Sequence, residues 1–519
     1  MATGIPHFFE PNRFISNVGL LVEATINFYY EGTTNPAPIY ADSAMTVPLT
    51  NPVTLAVGAI VPTIYLDPAI AYRRKIVYGD GSVQDSPKLF ALGYALSSDL
   101  IASTGASTLG YVGRLSGMIA RTVADKLNDN VSVFDFMTTA QKNDVINRTN
   151  LVDVTAAIQT AVSAVGAAGG GDLHFPAGLY RISGEITVTN EAVRLVGASR
   201  YNTLIYQTSL GSKIFNVTGA FCSISKLSFI YSGTPLVNSA AVFVQAGYFT
   251  MTDFVIRSAY IGVYFESDLC VAGKLEDFEI LDYEASAVVC DNAGDIFLSK
   301  FIMNAGNTTR GSLGGIRLSN QNEAIVVQQG DILLGQYSLT TEATTYSAGL
   351  RPAYCKFTDV YFDSSAYGTL LNNTVETEFT SCWFSAGRSG AGFAGLTLLT
   401  TDSVTFSHCN FINCGSHGAN VTSNAKRTVF SHCKFESNSV TTGPGISHGC
   451  AFASNTTDFM VVNCIAHNGL LSGQQGYGVF VNTGSSDRYI IADNLVTGNL
   501  TGGYADGGTG TNKRIENNY

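Results

Sequence analysis

The chain has 519 residues, a formal net charge of −11, only 13% charged residues and 53 glycines. That composition excludes a coiled coil or a charge-rich disordered chain. The acidic balance argues against nucleic acid as a partner, because such binding is driven by lysine and arginine contacts to phosphate.

Residues 1–90 read as a small antiparallel β domain. Strands are expected at ATINFYY (Ala24 to Tyr30), within TLAVGAIVPTIYLD (Thr54 to Asp67) and at YRRKIVY (Tyr72 to Tyr78), punctuated by Asn-Pro, Pro-Ala-Pro and Gly79-Asp80-Gly81. Nine of the thirteen prolines lie before Ser97, so composition itself marks a boundary. Residues 91–130 carry little hydrophobic period and read as a neck or linker, with a helix possible from Gly117 to Leu127. Residues 131–170 hold a leading strand and a capping helix. Asp153 or Thr155 is the expected cap of a helix through Ala164, whose apolar face is Ala156, Ile158, Ala161, Val162 and Val165. Gly169 to Gly171 stops it, and a strand follows at Asp172 to Phe175. Such a helix can cover the open end of a stacked sheet.

From residue 171 to 519 one pattern recurs: an apolar residue, two polar ones, an apolar residue or cysteine, one polar residue, then an apolar one. The clearest copies are Phe379-Cys382-Phe384, Phe406-Cys409-Phe411 and Phe430-Cys433-Phe435. Upstream copies begin at Phe357, Val327, Leu298, Leu275, Met251, Ile224 and, weakly, Val193 (with Val196 and Ala198); downstream copies begin at Val461, Ile491 and Ile515. The starts are 22 to 31 residues apart. One short strand at a fixed place in each coil reads as a solenoid of about 12 coils. The fold class is all-β, a right-handed parallel β-helix preceded by a capping helix and the small N-terminal domain. Cys382, Cys409, Cys433 and Cys464 then read as small buried hydrophobes in a ladder, since no CxxC pair has zinc spacing. Synthesis in a reducing cytoplasm fits. The N-terminus lacks a basic segment followed by an apolar run, so no signal peptide is expected. No run of about 18 apolar residues predicts a membrane span.

SVFDF, the TAAIQTAV helix and GGGDLHFPAGLYRIS together resemble the opening segment of pectate-lyase-like right-handed parallel β-helices, above all those of bacteriophage tailspikes and capsule depolymerases. MTTAQKNDVINRTNLVD stands where that group usually has a Gly/Asp-rich turn. The block from IPHFFEPNRF through YLDP and YRRKIVYGDGS resembles the virion-anchoring domain of such phage proteins. The resemblance implies a homotrimer in the phage tail, attached to a baseplate or adaptor protein through residues 1–90 and acting on a bacterial surface polysaccharide at the host surface. It does not fix a reaction, because the fold hosts hydrolases, lyases and non-catalytic fibres.

If the first, fourth and sixth positions of each repeat face in, the second, third and fifth face out, with a bend between the second and third. The third-position ladder includes Asp359, His408 and His432; the fifth includes Glu279, Asp331, Tyr361 and Trp383. Tyr361 and the only tryptophan, Trp383, are expected neighbours beside Asp331, Asp359 and Asp363. Exposed rings stack on sugars, and paired carboxylates divide acid and base roles. The assignment is hydrolysis, with Asp359 and Asp363 as acid and base, Asp331 as helper, and Tyr361, Trp383 and Glu279 binding substrate. No cofactor or metal is called for. His408 and His432 read as a surface ladder, and Glu279 with Asp282 and Glu284 also reads as a solvated acidic loop. The alternatives are a polysaccharide lyase on the same fold, or a non-enzymatic receptor-binding fibre in which Tyr361 and Trp383 are buried between subunits. The last coil, at Asn517 to Tyr519, would expose unpaired edges, so something is expected to cover it.

Overall fold

A computed structural model describes residues 5–7, 22–89, 105–112, 116–237, 239–342, 351–387, 392–470 and 474–519. The chain divides into two compact units, Met1–Asp129 and Asn130–Tyr519. In the first, Ala24–Tyr30 pairs antiparallel with both Val53–Leu55 and Tyr72–Tyr78. A second small sheet contains Ile39–Tyr40 and Ile64–Leu66. The expected long segment Thr54 to Asp67 is therefore two short strands separated by a turn. Ile26, Phe28, Ile39, Ile64, Tyr72 and Ile76 form this unit's core. The buried Tyr72 hydroxyl donates to the Pro38 carbonyl at 2.7 Å, which satisfies the one polar atom in that core. Much of the expected neck, and residues 8–21 of the anchoring block, lie outside the described residues; within the neck only Val123–Leu127 is helical of the stretch expected from Gly117.

The second unit is a right-handed parallel β-solenoid built on a 22-stranded and a 13-stranded sheet. From Ile224 onward every predicted repeat start pairs with the next: Phe357 with Phe379, Phe379 with Phe406, Phe406 with Phe430, and on to Ile491 with Ile515. The weak copy at Val193 is out of register. Leu195, not Val193, pairs with Ile224, because residues 198–202 loop out where later coils bend tightly.

That bend has one backbone solution. Lys226, Asp253, Asp277, Lys300, Gln329, Asp359, Ser381, His408, His432, Asn463, Asp493 and Asn517 all occupy the third position with φ between 51° and 59°. None is glycine, and eight are Asp, Asn or His, the non-glycine residues that tolerate this left-handed region best. The interior is equally periodic. Phe357, Phe379, Phe406 and Phe430 stack in one column at 4.6 to 4.9 Å, and Phe362, Phe384, Phe411 and Phe435 in another at 4.7 to 5.0 Å. All ten cysteines are free and buried. The Cys382, Cys409, Cys433 and Cys464 thiols each donate to a phenylalanine carbonyl of the preceding coil.

The helix Thr155–Ala167 closes the first coil. Its cap position is Val154, without a side-chain bond; Asp153 instead accepts the Thr155 N–H at 2.8 Å, and the helix continues past Ala164. Ile158, Ala161, Val162 and Val165 enter the solenoid core. Gln159 imitates a missing strand: its amide donates to the Thr187 carbonyl and accepts the Thr187 N–H, at 3.0 and 2.8 Å. The segment replacing the Gly/Asp-rich turn is a second helix, Thr139–Asn147, held by a Thr138–Gln141 capping box.

Two predictions follow from this packing. His417 Nδ1 accepts the His448 N–H, and His448 Nδ1 accepts the Tyr477 N–H, so both imidazoles serve as neutral acceptors between coils. Burial lowers both pKa values from 6.5 to about 4. The unfolded chain then binds protons first, and stability falls as pH drops from 6.5 to 4, by on the order of a few kcal/mol for the pair. Guanidinium unfolding at stepped pH should show this loss, and His417→Asn with His448→Asn should flatten it. Separately, Phe406→Ala should cost ~3–5 kcal/mol, whereas His408→Gly, at the bend just past that strand, should change stability by less than about 1 kcal/mol, because relief of the left-handed φ is offset by the greater freedom of the unfolded chain.

Candidate functional site

After the left-handed bend, the coils from Glu279 onward present their fifth-position side chains at the surface, whereas the earlier Val255 is buried. Asp331 pairs with Tyr361, Tyr361 with Trp383, and Trp383 with Asn410, so these four occupy successive rungs about 4.8 Å apart. The Tyr361 and Trp383 rings stack with centroids 6.0 Å apart and planes at 27°. Tyr361 is 50% exposed, and Trp383 is half-buried. Strand alternation puts Asp363, two residues beyond Tyr361, on this same face.

Burial pushes the Asp331 carboxyl above its ordinary pKa, and the charge of Asp363 adds to the effect. Asp363 Oδ1 accepts the Ser364 hydroxyl at 3.1 Å. The register pairs Leu333 with Asp363, so the two aspartates are one rung and two residues apart, a backbone offset of about 8 Å. Asp331 is thus a carboxylic acid that keeps its proton to higher pH, beside a second carboxyl group and two flat aromatic surfaces.

Asp359 is placed differently. It occupies the bend itself, with φ 54°, and is exposed. Its residue type is explained by backbone tolerance, and it shares the bend ladder with Gln329 and Ser381. Glu279 lies two rungs before Asp331, in register through Ile302. It accepts the Tyr201 hydroxyl at 2.9 Å, and the Arg200 guanidinium is 3.9 Å away. Arg200 also pairs with Asp253 and Asp277 at 3.3 and 3.0 Å, bridging three coils from the looped-out corner at 198–202. His408 and His432 are exposed with rings stacked at 5.0 Å.

The structure also assembles a group that sequence reasoning did not find. On the 13-stranded sheet Glu266 pairs with Asp291, and the Tyr264 hydroxyl reaches both, at 3.4 and 3.3 Å. Asn320 donates to Asp291 at 2.7 Å. Burial, followed by the two carboxylates, raises the Tyr264 pKa. The signal was an acidic residue directly after the last inward residue of consecutive coils, Phe265-Glu266 and Cys290-Asp291; it is invisible until the strands of this sheet are aligned.

Comparison with known proteins gives the following. A family model described as "Right handed beta helix region" matches residues 345–519. No curated protein matches in the sequence search. Among solved structures, bacteriophage CBA120 tailspike protein 3 superposes with a TM-score of 0.56 at 16% identity, over 95% of this chain and 74% of that one. A mutant tailspike of E. coli bacteriophage HK620 in complex with a hexasaccharide gives 0.54 at 12%, over 82% and 86%. The A-module of the Azotobacter vinelandii mannuronan C-5 epimerase AlgE6 gives 0.53 at 14%, over 75% and 98%. These likenesses establish the fold. Among the described residues no helix is long and apolar enough to cross a membrane.

Replacing Asp363 by Asn removes a neighbouring charge but leaves burial in place. The Asp331 pKa should fall while remaining above that of a free aspartate, as read by carboxyl ¹³C titration. An unmoved Asp331 would mean the two groups do not sense each other.

Proposed function

We propose that this chain is a phage tailspike that binds a bacterial surface polysaccharide and cleaves it by glycoside hydrolysis. The carrying observation is the Asp331–Asp363 pair, one member held toward its neutral form, on the rungs that present Tyr361 and Trp383. Asp331 is the general acid that protonates the leaving glycosidic oxygen. Asp363 is the base that activates water. Tyr361 and Trp383 hold sugar rings through their apolar faces. Inverting glycosidases separate their two carboxyl groups by roughly 6.5–9.5 Å and retaining ones by about 5–5.5 Å. The backbone offset of about 8 Å favours inversion.

The tailspike setting is supported by the two phage tailspikes among the fold's likenesses, one of them holding a hexasaccharide. It implies a homotrimer on the virion, with the N-terminal unit as the attachment to the tail. Hydrolysis is preferred to elimination because a lyase needs a cation to neutralise a uronate. The fifth-position ladder from Glu279 to Asn410 reads Glu, Ile, Asp, Tyr, Trp, Asn, without lysine or arginine.

The test is incubation with capsule or O-antigen from a susceptible host. Hydrolysis yields new reducing ends without unsaturated-uronate absorbance, and NMR of the first product shows an inverted anomer. Asp331→Asn and Asp363→Asn should each lower cleavage by at least ~10²-fold while binding persists. The wild-type rate should fall as pH rises through the elevated Asp331 pKa, because the acid is then lost. Intact polymer from an authentic receptor would leave a non-enzymatic fibre as the reading.

A further inference from the structure

A second feature lies at a different corner of the coil, where the 13-stranded sheet passes into the first half of the long strands. Two adjoining grooves, of about 600 and 340 Å³, meet at Val271. Their floor is regular. The Phe221 N–H donates to the Gly247 carbonyl and the Tyr248 N–H to the Val271 carbonyl. Val271 then bridges to Gly294, and Gly294 to Glu323. The combined groove spans six coils, from Thr189 and Glu191 to Gln321 and Glu323, about 24 Å along the axis.

Its lining is unusual in two ways. Phe221 and Tyr248 stack with centroids 4.7 Å apart and planes at 14°, yet they are 54% and 53% exposed. Both have positive φ, 58° and 59°, a backbone region that is costly for bulky side chains. Two aromatic rings are thus held at strained positions with their apolar surface left in water. Beyond them the groove is lined by acceptors and amides, notably Asp268, Asn292, Gln321 and Glu323, and by no lysine or arginine. Glu266 and Asp291, which share the Tyr264 hydroxyl, immediately precede groove residues Ser267 and Asn292 in the chain.

We infer that this groove is a second saccharide site, for a neutral or amino-sugar chain. An aromatic platform takes the apolar face of a pyranose, while carboxylates and amides accept and donate to ring hydroxyls. An acidic lining repels uronates, sulfates and phosphates and favours an ammonium group. The site is separate from the Asp331 face, which lies beyond the left-handed bend at Gln329. The inference rests on the reading that this chain binds polysaccharide, but not on hydrolysis. Two sites on one rod hold one polymer by effective concentration, so that cleavage at one leaves the chain retained at the other.

The experiment uses the full chain on an immobilised panel of bacterial polysaccharides of known structure, grouped as neutral, amino-sugar and uronate-containing. Wild type, the double variant Phe221→Ala/Tyr248→Ala, Tyr248→Phe and Asp331→Asn are compared, with protease resistance as the check on folding. The expected result is retention on at least one neutral or amino-sugar polymer, weakened at least tenfold in the double variant. Tyr248→Phe, which keeps the ring, should lose less retention than the double variant, and Asp331→Asn is read for cleavage and not as a retention control. Retention only on uronate polymers, retention indifferent to the double variant, or no retention overturns the inference. Loss of cleavage in Asp331→Asn is scored separately, so failure of the hydrolase reading is distinguishable from failure of this one.

Discussion

The solenoid depends on one constraint: each coil must turn a corner within a single residue, and that residue must take a left-handed backbone. Everything regular in the molecule follows. A one-residue bend keeps the two halves of each long strand at a fixed angle. Equivalent residues therefore stack on the coil above and below, and both phenylalanine columns run unbroken. Glycine would satisfy the backbone at no steric cost, but its flexibility would enlarge the unfolded ensemble at every coil. Asp, Asn and His tolerate the conformation while limiting that freedom. Where the constraint is relaxed, at 198–202, the chain loops out and delivers Arg200 and Tyr201 across the neighbouring rungs.

This explains what was legible in advance. The inward pattern is a consequence of burial, and burial is written in residue type, so the register from Ile224 to Ile515 could be read directly. The helix that closes the first coil was legible for the same reason. Three things were not. Val193 was misaligned because a loop breaks the spacing without changing the hydrophobic character of the strand. The role of Asp359 was not legible because the bend ladder selects aspartate for its backbone, and residue type alone does not separate that from selection for a charge. The Tyr264–Glu266–Asp291 group stayed hidden because its strands belong to the 13-stranded sheet, which the repeat read from the long strands does not align.

The two proposed sites divide the surface by electrostatics rather than by shape. On the Asp331 face the charge is paired, and burial makes one carboxyl reluctant to ionise. In the groove beside Phe221 and Tyr248 the carboxylates line an open cleft. A face that must move a proton and a groove that must hold many hydroxyl groups call for these opposite environments. A solenoid supplies both, because each corner and each face repeats independently along the same axis.

The interior also dictates the geometry of the outer face. Gly330 sits next to Asp331, on the strand directly above the ring of Phe301, and a Cβ there would fall 2.3 Å from that ring. The missing methyl lets the backbone settle onto the aromatic edge. The height of Asp331 above the sheet is therefore set from within, by a side chain that never meets solvent.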